Sequence, residues 1–196
     1  MNETITYEAP LLRGRFIVFN KKPALDFLKV KQTHSDLVIP EALCANNERI
    51  GDGIIGSSIT PKVILTADCV PLVLMGKDEH VVIHAGWRGL AQNILANELV
   101  KKINPTYAFI GPHIRPQHYE VQCEFFVNFP SHPLAFTKNE EKIYFDLAYV
   151  ASAQLKAAYP GIVIEDCGLC TFADLKFHSY RRDKTTERNW NIYFPQ

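Results

Sequence analysis

Two apolar runs limit what this chain can fold into more than anything else in it. VILTADCVPLVLM (Val63–Met75) and HVVIHA (His80–Ala85) are rich in β-branched residues and are parted only by GKDE. Runs of this composition read as buried strands joined by a hairpin. Pro71 inside the first run predicts an edge, a bulge or a break just after Cys69. Each run also carries a reactive side chain, Cys69 in TADC and His84 in HAGWRG. Buried strands rarely need a thiol and an imidazole.

The elements around these runs follow the same logic. FIVF (Phe16–Phe19), YAFIG (Tyr107–Gly111), IVIED (Ile162–Asp166), FHSYRR (Phe177–Arg182) and NWNIYF (Asn189–Phe194) read as strands. KVKQTHSDLVIP (Lys29–Pro40) reads as strand, turn, strand, and the three glycines around Asp52 in GDGIIG predict a tight loop. Leu90, Ala91, Ile94, Leu95, Leu99 and Ile103 keep helical spacing, so one helix is expected from Arg88 to the stop at Asn104–Pro105. A second is expected after Asp146 as N-cap, ending at Pro160–Gly161. Strands cluster early and only two long helices are expected. The fold class is therefore α+β, a mixed-sheet α/β sandwich with helices outside, rather than a doubly wound nucleotide fold. Residues 1–196 are read as one domain.

Charge and cysteine usage narrow the setting. Lys and Arg balance Asp and Glu at 21 each, so net charge points to neither nucleic acid nor a membrane surface. The polar opening, with Glu3 and Glu8, is no secretory leader. Five cysteines, an odd count, suit reduced thiols in a cytoplasmic protein, and a compact neutral chain is expected to be a monomer.

His34, Cys69 and His84 each stand where a strand-like segment gives way to a polar turn, which is where folds gather distant residues into one site. One thiolate and two imidazoles suit zinc, and three protein ligands leave the fourth position open, as catalytic sites do. The residue types alone also allow a Cys–His nucleophile pair, and they favour buried structural roles over either. Asp68 is costly to bury unless paired. Arg88, at the expected helix start, could clamp an anion or lie on the surface. Trp87 could stack on a base or fill the core. On a strand, Arg181 and Arg182 would point to opposite faces. His113 and His118 flank Pro116 in a presumed loop and read as exposed. Cys167–Cys170 (CGLC) has no second CxxC and reads as two unlinked thiols.

KQTHSD, GDGIIGS, TADCVPLV, HAGWRGL, IGPHIRPQHYEV, DCGLCT and FHSYRRD occur in the order seen in the YfiH-type laccase-domain family. The chain resembles that family from about Leu28 to Phe194. The family was formerly labelled multicopper polyphenol oxidase and is also called peptidoglycan editing factor. The resemblance implies a zinc site at His34, Cys69 and His84, with copper ranked behind zinc. It implies phosphorolysis of adenosine, inosine, guanosine and methylthioadenosine, and deamination of adenosine. It also implies a sandwich related to the catalytic domain of cytotoxic necrotizing factor toxins, which use a Cys–His pair hydrolytically. A cysteine amidase built on Cys69 and His84 is therefore the alternative, and a copper polyphenol oxidase a further one. Within the expected purine nucleoside enzyme, Asp68 is assigned proton transfer with Glu120 as second candidate, and Arg88 phosphate binding. Tyr119, Tyr180 and Arg181 are expected to line the pocket. Two departures stand out. Only LLRGRFIVFN, with Arg13 and Arg15, precedes the matched core, where the family has a longer segment. The family's terminal T-G-R reads Thr186-Glu187-Arg188.

Overall fold

The structure is a computed structural model, and it describes residues 4–196. Met1 and Glu3 lie outside the described residues. Alternation within the apolar runs decides the layers. In β7 (Val70–Met75), Leu72 and Leu74 face one way, Val73 and Met75 the other. β8 (His80–Ala85) splits in the same manner, with Val81 and Ile83 opposed to Val82. Both faces are apolar because both are covered, so neither strand can lie on a surface.

These strands form the middle of a six-stranded sheet ordered β13-β9-β7-β8-β5-β4. Its other members are β4 (Val38–Pro40), β5 (Gly53–Gly56), β9 (Tyr107–Ile110) and β13 (Val163–Asp166). A five-stranded sheet ordered β1-β2-β14-β6-β3 contains β1 (Ile5–Pro10), β2 (Arg15–Phe19), β3 (Leu28–Lys29), β6 (Lys62–Thr66) and β14 (Asn189–Phe194). Phe16, Val18, Ile64, Val73, Val82, Phe109 and Tyr193 fill the space between the two sheets. On the far face of the six-stranded sheet lie α1 (Trp87–Ala91), α2 (Glu98–Ile103) and α3 (Leu147–Ala158). Beside them sits a small sheet of β10 (Glu120–Val121), β11 (Phe136–Asn139) and β12 (Lys142–Phe145). The mixed-sheet α/β sandwich expected from the sequence is the fold. Among the described residues no helix is long and apolar enough to cross a membrane.

Several local expectations are corrected. The run Val63–Met75 is two strands in two different sheets. The chain breaks over Ala67–Cys69, so the break ends at Cys69 rather than following it, and Asp68 within it takes φ +99°. Pro71 stays inside β7, opposite His84. The single helix expected over 88–103 is broken into α1, a 3-10 turn at Ile94–Ala96 and α2. Asn93 adopts a left-handed conformation, and Asn97 caps α2 by accepting from Leu99 N–H. GDGIIG is loop only to Asp52, since its second half is β5. FHSYRR is not a strand: Ser179 accepts from Arg182 N–H and starts a one-turn helix, α4 (Tyr180–Asp183). His113 is fully buried, not exposed. The edge strand β1, half exposed, was invisible in the sequence pattern. The helix over Leu147–Ala158 is as expected, with Asp146 capping Tyr149 N–H.

Candidate metal centre and its pocket

Three separate folding decisions bring the soft ligands together. The break after β6 delivers Cys69 to the start of β7. Antiparallel pairing sets Pro71 opposite His84, which places His84 at the adjoining end of β8. His34 sits in the turn between β3 and β4 with φ +61°, a conformation a non-glycine residue adopts only where its surroundings hold it. The ligand atoms of His34, Cys69 and His84 all lie within 4.8 Å of one another, and Cys69 Sγ is 3.8 Å from His34 Nε2. Bonds of about 2.0–2.3 Å in a tetrahedral site would space ligand atoms roughly 3.3–3.8 Å apart. A small inward adjustment closes the difference, so the residues fit a single zinc-sized ion.

Asp52 organises this set, although in the sequence it reads only as part of a glycine-rich loop. Its side chain has no solvent exposure. Oδ1 accepts from His84 Nδ1 at 2.7 Å and from His34 N–H at 3.0 Å. Oδ2 accepts from the N–H groups of Thr33 and Ser35 and from Ser35 Oγ, at 3.2, 2.6 and 2.6 Å. One carboxylate therefore pins the left-handed turn at His34 and fixes the His84 ring. With the proton on Nδ1, His84 Nε2 is left as the ligand atom, the carboxylate–histidine arrangement common behind metal sites.

The protonation balance matches. Burial would raise Asp52, but the bonds from His84 and Ser35 prevail and hold it at about 2. Burial would also raise the Cys69 thiol, yet the adjacent His84 and His34 draw it well below its ordinary value. His84 moves oppositely. Burial lowers it, and Cys69 and Asp52 more than compensate by favouring its cation. The pair thus favours thiolate and imidazolium, a state that would release one proton to solvent when a metal binds.

Gly86 leaves room for the centre. A Cβ there would stand 3.0 Å from His34 Cδ2 and 3.1 Å from Cys69 Sγ. Its φ of −75° is ordinary, so glycine is needed for space and not for backbone freedom.

His34, Cys69 and His84 line a cavity of about 720 Å³. His84 and Asp68 are buried there, Cys69 is half-buried, and His34, Lys31 and Lys184 are exposed. Trp87 and Tyr119 line its apolar side, backed edge-on by Phe125 at 5.2 and 6.4 Å. Tyr180 and Arg181 also line it, and the Arg181 guanidinium lies 4.8 Å above the Tyr119 ring and donates to the Glu120 carbonyl.

Residues 15–194 match the family model described as multi-copper polyphenol oxidoreductase laccase. The chain belongs to this family. A purine nucleoside phosphorylase of Xylella fastidiosa is 33% identical over 177 residues, covering 81% of this chain and 68% of that protein. One of Aquifex aeolicus is 33% identical, covering 80% and 77%. The chain spans 60–68% of the length of its Xylella and Campylobacter relatives. The crystal structure of a Neisseria meningitidis protein superposes with a TM-score of 0.79 at 26% identity, covering 88% of this chain and 76% of that one. That of a Bacillus licheniformis hypothetical protein, YfiH, gives 0.76 at 27%, covering 87% and 74%.

In this laccase-domain chain the remaining residues singled out in the sequence fall in different places. Asp68 borders the cavity, and its carboxylate accepts from Thr171 Oγ1 at 2.8 Å and Arg181 N–H at 2.7 Å. It thereby joins the β6–β7 break to α4. Arg88 is exposed, 5.2 Å from the Trp87 ring, and does not border the cavity. The Glu120 carboxylate pairs with Lys142 at 3.1 Å and is likewise absent from the lining. Arg182 leaves the site to donate to the carbonyls of Thr171, Phe172 and Phe177. Arg13 donates to the Gly76 and Lys77 carbonyls, tying the early chain to the β7–β8 turn. Cys167 and Cys170 are unlinked thiols, the latter accepting from Arg115 N–H.

Proposed function

We propose that the chain is a zinc-dependent purine nucleoside phosphorylase that also deaminates adenosine. One observation carries the reading: three soft ligand atoms, oriented by a buried carboxylate, line a cavity with aromatic and cationic walls. The names of the relatives support it. Bound zinc would supply Lewis-acid chemistry with one coordination position open. The chain's own groups do the rest. Trp87 and Tyr119 offer ring faces to a purine. Arg181, held over Tyr119, has N–H donors left for phosphate, the task first given to Arg88, whose side chain lies outside the cavity. Each Asp68 oxygen accepts one bond, so a lone pair remains on each to take a proton from an attacking nucleophile and return it to the leaving group.

The lowered Cys69 and raised His84 also suit a cysteine hydrolase, the second reading. Copper phenol oxidation draws less support. Blue-copper centres use an axial methionine. Met75 sits at the far end of β7, about 20 Å along the strand from Cys69, and His34, Cys69 and His84 are the sole metal-capable group among the described residues.

Incubation with adenosine and phosphate, with products separated by chromatography, tests the proposal. Adenine with ribose 1-phosphate reports phosphorolysis, and inosine reports deamination. No product from metal-replete protein would overturn it. An Arg181→Ala variant should raise the KM for phosphate at least tenfold.

A further inference from the structure

The charge around this cavity is lopsided in a way the chain as a whole is not. The sequence balances 21 basic against 21 acidic residues. Five of the basic residues, Lys29, Lys31, Arg181, Lys184 and Arg188, border the cavity, and Asp68 is the sole carboxylate among its lining residues. The five are not equivalent. Arg181 is anchored by Glu120 O and Tyr119, and Arg188 by the Thr185 and Glu187 carbonyls. Lys29, Lys31 and Lys184 have no ion pair and no hydrogen bond from their ammonium groups among the described residues. Lys184 rests only against the Tyr180 ring, at 5.1 Å. Lys31 and Lys184 are exposed, whereas His84 and Asp68 are buried.

One inorganic phosphate beside the reacting sugar carbon would engage Arg181. That leaves three unpaired ammonium groups bordering one cavity, at a cost in mutual repulsion with no partner among the described residues. An occupant with a second anionic group would remove that cost. A purine nucleoside entering base-first presents its 5′ carbon to the mouth.

We infer that this cavity takes purine nucleotides, with the 5′-phosphate held at the mouth by Lys29, Lys31 and Lys184. The inference rests on the nucleoside reading of the site and extends it from nucleosides to their 5′-phosphates. The reaction is unchanged in kind. An oxygen of inorganic phosphate bonds to C1′ as the C1′–N9 bond breaks. The bonding pair and one proton pass to the purine, and the products are free base and ribose 1,5-bisphosphate.

Calorimetric titration of the metal-loaded protein with AMP and with adenosine, in phosphate-free buffer, tests this, alongside adenosine phosphorolysis on the same preparation. AMP should bind at least tenfold more tightly than adenosine, and raising salt from 50 to 300 mM should shrink that ratio, since exposed charges are screened. A Lys31→Ala/Lys184→Ala variant should lower the ratio about tenfold. AMP binding no tighter than adenosine, or a ratio unmoved by the double substitution, overturns the inference. If adenosine is cleaved while AMP fails to bind more tightly, this inference alone falls and the nucleoside reading stands. If adenosine neither binds nor reacts, both fall. A double variant that only raises the KM for inorganic phosphate, with AMP and adenosine bound equally, also overturns it.

Discussion

Replacing Asp52 by asparagine should damage both the fold and the metal centre. The side chain keeps its volume, but one acceptor oxygen becomes an NH2 donor among groups that only donate to it. Asp52 Oδ1 receives two bonds and Oδ2 three. Whichever way the amide turns, two or three of the five bonds become N–H facing a donor. Bonds to a charged group contribute about 1.5–3 kcal/mol each, and breaking a buried ion pair costs about 3–5 kcal/mol. We expect Asp52→Asn to lose about 3–5 kcal/mol from a total of roughly 5–15. For a chain of this length that lowers Tm by roughly 6–20 °C. Loss of the partner behind His84 should also weaken metal binding 10–100-fold. Urea denaturation and competitive metal titration measure the two effects. Ser35→Ala, which deletes one of the five bonds, should cost only about 1 kcal/mol. A loss below about 1 kcal/mol for Asp52→Asn, with unchanged metal affinity, would refute the claim that this carboxylate organises the site.

Two other perturbations separate site from scaffold. Gly86→Ala leaves backbone conformation acceptable yet inserts a methyl group 3.0–3.1 Å from two ligand side chains. Metal affinity should fall at least tenfold while chemical stability changes by less than about 2 kcal/mol. Equal affinity would show that the centre has slack. Burial holds His80 and His113 down at about 4 in the folded state, against 6.5 for an ordinary imidazole. The unfolded chain then binds more protons below pH 6.5, so stability is full above that value and declines as pH falls toward 4. Denaturation midpoints should drop between pH 7 and 5, before carboxylates titrate. A flat profile there would contradict the buried neutral state of both rings.

The sandwich was readable because its central strands are apolar on both faces, and that pattern survives without tertiary knowledge. What failed was local and polar. Asn93 and Asn97 break a helix whose apolar spacing continues straight through them, because their side chains favour left-handed and capping geometry over propensity. Ser179 turns an aromatic, strand-like hexapeptide into a helical turn for the same reason. The ligand set was legible as soft residues at strand ends. Its support was not, since nothing in GDG announces that Asp52 collects five hydrogen bonds from residues 17–32 positions away. The glycines flanking that acid were the available signal. Arg88 and Arg181 show the limit of reading roles by sequence position. The helix-start arginine lies outside the cavity, and the one expected on a strand borders it from α4.

We propose that His34, Cys69 and His84 hold one catalytic metal ion. Elemental analysis with X-ray absorption on protein purified under reducing conditions tests it most directly. The account predicts one zinc per chain, bound by two nitrogens and one sulfur, lost together with nucleoside turnover in Cys69→Ser. Full turnover in protein stripped of metal by chelation, or a metal shell without sulfur, would contradict it.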